Sequence, residues 1–156
     1  MITQVKKANK LDSTSLIGQM MTASFADIKR QAAEGKQIIW ANGLPVYVLA
    51  RAADMPVLHC EGLVAGLAAK RLEKPFQDAA EAFGFLPDAC SYARSFIGAA
   101  RITRGDYRLD PSMNQDLLLM PKPALYVNSA GGCGTGRPWG EAMATLFNVP
   151  EYHFEP

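Results

Sequence analysis

The stretch Gln37-Ile38-Ile39-Trp40-Ala41-Asn42-Gly43-Leu44-Pro45 decides how this chain folds. Gln37–Ala41 is a short apolar run, the pattern of a strand buried on both faces. Asn42-Gly43 then breaks the run. Pro45 brings a fixed φ and a missing N–H that suit the first turn of a helix, which is expected to continue to about Ala53. A strand that feeds directly into a helix is half of a βαβ unit.

The same alternation recurs on the C-terminal side. Pro56–His59 reads as a short strand, and Glu61–Arg71 as a helix rich in small residues, able to pack closely on a sheet. Pro75–Phe83 is a further helix with Gly84 at its end, and about Asp88–Ala100 is another. Ala124–Asn128 is the clearest strand, Trp139–Phe147 a helix, and Glu151–Phe154 the next strand. Strands alternating with helices predict a mostly parallel sheet of α/β class. Arg101–Met120 has no clean period and carries Gly105-Asp106 and Asp110-Pro111 breaks, so an irregular loop longer than the usual connection is expected. On the N-terminal side Asp12 can cap a helix running to about Glu34, with Leu16, Met20, Phe25 and Ile28 along one face and Gly35 as its stop. Residues 1–34 are thus expected as a helical lead-in and 35–156 as the α/β domain.

At 156 residues the chain fits one domain with a real core, since a domain of this size buries roughly 70% of its unfolded surface. A composition of 49% apolar and 20% charged residues is that of a soluble globular protein. The net charge of +1 gives no reason to expect nucleic acid or a membrane surface as partner. Met1–Lys10 has no signal-peptide pattern and no apolar run is long enough to span a bilayer, so the cytoplasm is the expected location. Three cysteines without a secretory signature argue against a disulfide framework.

In parallel sheets ligands bind at the carboxyl ends of the strands. Asn42-Gly43, the His59-Cys60-Glu61 turn and the Gly131–Gly136 turn all fall at such ends. Cys90, in Asp88-Ala89-Cys90-Ser91-Tyr92-Ala93-Arg94, is expected at a helix N-terminus, where a thiolate is favoured. Cys133 lies in the glycine-rich turn before another helix. The two lack the C-x-x-C spacing of a zinc or ferredoxin site. Their parallel placement fits a shared iron–sulfur group, or else two small buried apolar residues, as free cysteines commonly are. Cys60 fits a buried structural thiol better than a third ligand, and packing roles are expected for His59 and His153. Glu61 opens a helix, where a carboxylate is a cap unless it shares a cleft with Cys90 and acts as an acid/base. Arg94, one turn beyond Cys90, can meet an anion or serve as a surface or capping residue. The Gly131–Gly136 turn does not spell G-x-G-x-x-G and no P-loop lysine follows, so a nucleotide phosphate site is poorly supported.

Taken in order, these pieces resemble the cluster-carrying subunits of the 2-hydroxyacyl-CoA dehydratase and benzoyl-CoA reductase family. The resemblance rests on Gly35-Lys36 before Ile38-Ile39-Trp40, Gly43-Leu44-Pro45, Glu61, Cys90-Ser91-Tyr92-Ala93-Arg94, Pro121-Lys122-Pro123 before Leu125, and Cys133 leading into Trp139 and Val149-Pro150. It runs from Gly35 to Pro156, and its Cys-Ser-Tyr-x-Arg piece is the most specific. It implies a Rossmann-like three-layer domain and a [4Fe–4S] cluster held by three cysteines. It also implies a second homologous subunit, an acyl-CoA substrate and an ATP-dependent activator iron–sulfur protein that supplies the electron. The chemistry implied is one-electron reduction of the thioester carbonyl to a ketyl radical, with loss of a hydroxyl (a lyase), or dearomatisation of an aryl-CoA ring (a reductase).

Residue by residue, the resemblance makes Cys90 and Cys133 cluster ligands and Glu61 the catalytic carboxylate. Asn42, Gly43, Ser91, Tyr92 and Arg94 become the substrate-binding residues. Asn42-Gly43 stands where some members place a serine. Family subunits are more than twice as long, so the third ligand is expected outside this chain, or at Cys60. The chain is then read as the N-terminal domain of such a subunit. The alternative is a non-catalytic binding or assembly module, or a truncated fragment, that keeps the fold without a complete cluster.

Overall fold

The computed structural model describes residues 12–110, 113, 119–129 and 133–154. In chain order the elements are α1 (Asp12–Ala33), β1 (Ile38–Asn42), α2 (Leu44–Ala52), β2 (Val57–His59), α3 (Cys60–Ala69), α4 (Lys74–Glu81), α5 (Ser91–Arg104), β3 (Pro123–Asn128), α6 (Gly136–Phe147) and β4 (Glu151–His153). The strands form one sheet in the order β2-β1-β3-β4, with every pairing parallel. The apolar run at Ile38–Asn42 becomes β1, one of the two inner strands, buried at all five positions. The alternation of strand and helix thus gives the expected α/β class and a Rossmann-like three-layer arrangement.

The layers follow from the handedness of the crossovers. From β1 to β2 the chain steps one way across the sheet; from β2 to β3 and on to β4 it steps the other way. Right-handed connections therefore place the intervening helices on opposite faces. α2 packs Val46 and Ala50 against Ile39, Ala41 and Val57. The other face, built on Ile38, Trp40, Leu58 and Tyr126, carries α3, α4, α5 and α6 and holds the larger core. Trp40 is fully buried there, its indole N–H donating to the Pro121 carbonyl at 3.0 Å. Phe96 of α5 and Phe147 of α6 meet its ring edge-on, with centroids 5.1 and 4.9 Å away.

Two expectations change. α5 does not end near Ala100 but runs to Arg104. Ile102 continues its buried face, and Gly105, at φ 91°, closes the helix by donating to the Arg101 and Ile102 carbonyls. The first turn of the expected Arg101–Met120 loop is therefore helix, and most of 111–118 lies outside the described residues. In α1 the expected apolar face packs only at its C-terminal part. Ile28 is buried and Phe25 rests on the core, whereas Leu16 and Met20 are 57% and 63% exposed. A helix of 22 residues is about 33 Å long, much longer than the strands it flanks, so its N-terminal half runs past the core. Among the described residues no helix is long and apolar enough to cross a membrane.

α4 and α5 pack more closely than any other pair of helices. A Cβ at Gly98 would overlap the main-chain carbonyl of Phe76, a group that cannot rotate away. Gly98→Ala is therefore expected to destabilise the fold by about 3 kcal/mol, the upper part of the usual range for overpacking. Urea denaturation, with an unchanged m-value, is the measurement. A loss below about 0.5 kcal/mol, the scale of an ordinary surface change, would mean the two helices separate freely.

Cys60, the first residue of α3, is fully buried in the same core, with its thiol 3.8 Å from the Leu58 carbonyl. Burial pushes that thiol well above its usual range, and only the thiolate reacts. Under native conditions iodoacetamide should leave Cys60 unmodified and label it only after denaturation, as followed by peptide mass spectrometry.

Candidate functional site

β1 and β3 are neighbours whose outgoing connections leave toward opposite faces: β1 leads to α2 on one, β3 to α6 on the other. The crevice beyond their carboxyl ends is the topological switch point, where ligands bind in open parallel sheets. Asn42 and Asn128 are the last residues of these strands and pair in register. Strand alternation puts them on the faces of Trp40 and Tyr126, under α3, α5 and α6. They are 3% and 1% exposed, and the amide nitrogen and oxygen of both side chains have no hydrogen-bond partner among the described residues. Their main chains are paired: the Asn42 carbonyl accepts from Ser129 N–H at 3.0 Å, and that of Asn128 from Phe154 N–H at 2.7 Å. Gly43, at φ 87°, permits this approach, since a Cβ there would stand 2.7 Å from the Ser129 carbonyl oxygen.

Other polar groups surround the pair. The Tyr126 hydroxyl is buried beside the Cys60 thiol, and burial holds it well above its usual range. His153 pairs in register with Asn128, and its Nε2 lies 2.9 Å from Glu151 Oε1 on the same face of β4. Burial pushes the Glu151 carboxyl up. His59 ends β2 on the α2 face, its ring 5.7 Å from that of Tyr47. Its Nδ1 accepts from Gly62 N–H at 3.0 Å, so it caps α3. Serine, threonine, aspartate and asparagine are the usual caps, which is why the sequence alone marked His59 only for packing.

Besides α2, which opens directly after β1, three helices on the other face bring N-termini to this edge. α3 starts directly after β2, and α6 follows β3. α5 runs parallel to α6: Phe96 packs on Trp139 near their N-terminal ends, ring centroids 5.5 Å apart, and Arg104 Nη1 donates to the Leu146 carbonyl near their C-terminal ends. Cys90, the residue before α5, therefore stands at the same end of the layer as the entry to α6, where Cys133 lies. Both thiols are exposed. The reading of these two as small buried apolar residues is overturned; that description fits Cys60 instead. Gly131 and Gly132 of the glycine-rich turn lie outside the described residues.

Glu61 sits exposed in the first turn of α3. Ser91 and Tyr92 are exposed beside Cys90, and the Ser91 carbonyl accepts from Ser95 Oγ at 2.8 Å. Arg94 is otherwise engaged: its guanidinium pairs with Glu81 of α4, and its Nε donates to the Ala89 carbonyl at 3.1 Å. It braces the turn that carries Cys90. Among the described residues no three His, Cys, Asp or Glu side chains gather as a metal site. The sequence reading missed Asn128, whose only signal was a polar residue closing an apolar strand.

No family model matches the sequence. Over 143 residues the chain is 25% identical to the alpha subunit of (R)-2-hydroxyisocaproyl-CoA dehydratase from Clostridioides difficile, an alignment covering 92% of the chain and 33% of that protein. The chain thus spans about a third of the length of the curated relative it matches. With exposed cysteines at Cys90 and Cys133 on one edge of a parallel sheet, it is similar, distantly, to a 2-hydroxyacyl-CoA dehydratase subunit.

Proposed function

We propose that this chain is the acyl-CoA-handling part of a 2-hydroxyacyl-CoA dehydratase-type enzyme, and that Cys90 and Cys133 hold a [4Fe–4S] cluster. The observation that carries the reading is the pair of exposed thiols just ahead of two helices that run parallel on one face of the sheet. Thiolate is the ligand type such clusters take, and helix N-termini favour an anionic group. The donor set fits two of the three ligands. Cys60 does not fit as the third, because its sulfur is enclosed by the core while the other two are exposed. The third ligand is assigned outside this chain. When bound, the cluster supplies a single electron to the thioester.

The chain's own residues do the rest. Loss of water from a 2-hydroxyacyl thioester removes one proton from the neighbouring carbon and delivers one to the leaving hydroxyl. Glu61, exposed at the carboxyl edge, is the carboxylate placed to carry that proton. Asn42 and the Gly43 turn hold the acyl end, and Ser91 and Tyr92 flank the thiol of Cys90. Arg94 acts through position, keeping the Ala89–Cys90 turn against α4. A second homologous subunit and an ATP-dependent activator protein are the partners of this reading. The other reading, a binding or assembly module, is favoured by one observation: the described residues gather no three-ligand group.

Anaerobic reconstitution with iron and sulfide separates the two. The wild type should take up iron and show the broad visible absorbance of thiolate-bound iron, and Cys90→Ala and Cys133→Ala should each lose most of it. Their thermal midpoints should match the wild type, because both side chains are exposed. A folded wild type that stays colourless and iron-free would sink the cluster assignment and leave the module.

A further inference from the structure

We propose that Asn42 and Asn128 form a two-amide clamp that reads an α-hydroxycarbonyl group, and that Asn128 sets the preference for 2-hydroxyacyl thioesters over acyl thioesters lacking the hydroxyl. The inference rests on the acyl-CoA reading above and assigns a residue, Asn128, that the resemblance does not supply.

Native proteins pair nearly all their buried polar atoms, and a buried amide left unpaired loses the water bonds it had in the unfolded chain. Here two amides in register, on the two central strands, leave all four polar atoms unpaired among the described residues. An apolar side chain of similar size would fill either position without that cost. The pair also stands where the fold places ligands, next to the tight Gly43–Ser129 approach that only a glycine allows. The unpaired atoms define their complement: two N–H₂ donors and two carbonyl acceptors. A thioester carbonyl accepts from one donor. A hydroxyl on the adjacent carbon accepts from the other and donates to an acceptor. Without that hydroxyl the carbonyl alone is served, and a second amide stays buried and unpaired, the situation by which hydrogen-bonding sites reject analogues. These atoms are closed to solvent, so binding requires the strand ends around them to open.

The test is calorimetric titration of the full chain with (R)-2-hydroxyisocaproyl-CoA and with isocaproyl-CoA, alongside thermal midpoints without ligand. The wild type should bind the hydroxy thioester about tenfold or more tightly than its analogue. Asn128→Leu should bring the two affinities within about twofold by weakening the hydroxy thioester alone, and its midpoint should equal or exceed the wild type's. Asn128→Ala should show the same loss of preference. A preference that survives both substitutions overturns the clamp and leaves the acyl-CoA reading standing. Failure of both variants to fold also overturns it, since the amide would then serve the fold. A wild type that binds neither thioester overturns the clamp together with the reading beneath it.

Discussion

The indole of Trp40 ties the parts together. It sits on an inner strand, has no exposed surface, and spends its one donor on the Pro121 carbonyl just ahead of β3. That bond fixes where β3 enters the sheet. Phe96 and Phe147 close on the two edges of the ring, so α5 and α6 are both set by one residue of β1. Removing a buried aromatic of this kind costs about 3–5 kcal/mol, against a whole-domain stability of about 5–15 kcal/mol. The parallel run of α5 and α6 follows from it, and with it the presence of Cys90 and Cys133 at one end of the layer.

That end contrasts with the rest of the molecule. Elsewhere the core is mostly apolar and the helices are closed by ordinary means: Gly105 ends α5 and Asn148 ends α6, both in left-handed conformations. At the carboxyl edge, buried amides, a buried hydroxyl and a half-buried histidine–glutamate pair crowd together. A concentration of buried polar groups against packing rules marks a place as a candidate site. Arg94 belongs to the supporting structure of this edge. Exposed ion pairs contribute little, but its guanidinium, with only 12% of the side chain exposed, also grips the Ala89 carbonyl. It fixes the backbone next to Cys90.

Much of this was legible from residue order. The run at Ile38–Ala41, the break at Asn42-Gly43 and the proline after it identify β1 and α2 without tertiary information, and the alternation that follows implies parallel pairing. The helix starts at Cys90 and before Trp139 were also readable, and the exposure of both cysteines agrees with them. The end of α5 was not, because Gly105-Asp106 looked like the close of a loop while Ile102 was counting toward the core. Leu16 and Met20 have the right period, yet period says nothing about whether a helix outruns the surface it packs on. Asn128 was hidden for a different reason. A strand-terminal asparagine is a common turn residue, and only the register that sets it beside Asn42 makes it unusual. The His153–Glu151 pair, two apart on one strand face, was in principle readable; its burial was not.

Burial divides the three cysteines into two classes, and this division bears on the proposed chemistry. A cluster that accepts an electron for a thioester must be reached by a donor protein and by substrate, so its ligands belong at an edge. Cys90 and Cys133 meet that condition, and Cys60 is kept from it by Tyr126, Leu58 and the body of α3. On this reading the chain supplies an incomplete ligand set together with the carboxylate and amides that handle the acyl group. Two thiols alone hold a cluster poorly, and an unshielded cluster would spend its electron on solvent or oxygen. Completing the ligand set from outside the chain would then also close the edge over the substrate. The protein layer that excludes water and the thiolate that finishes the cluster would arrive together.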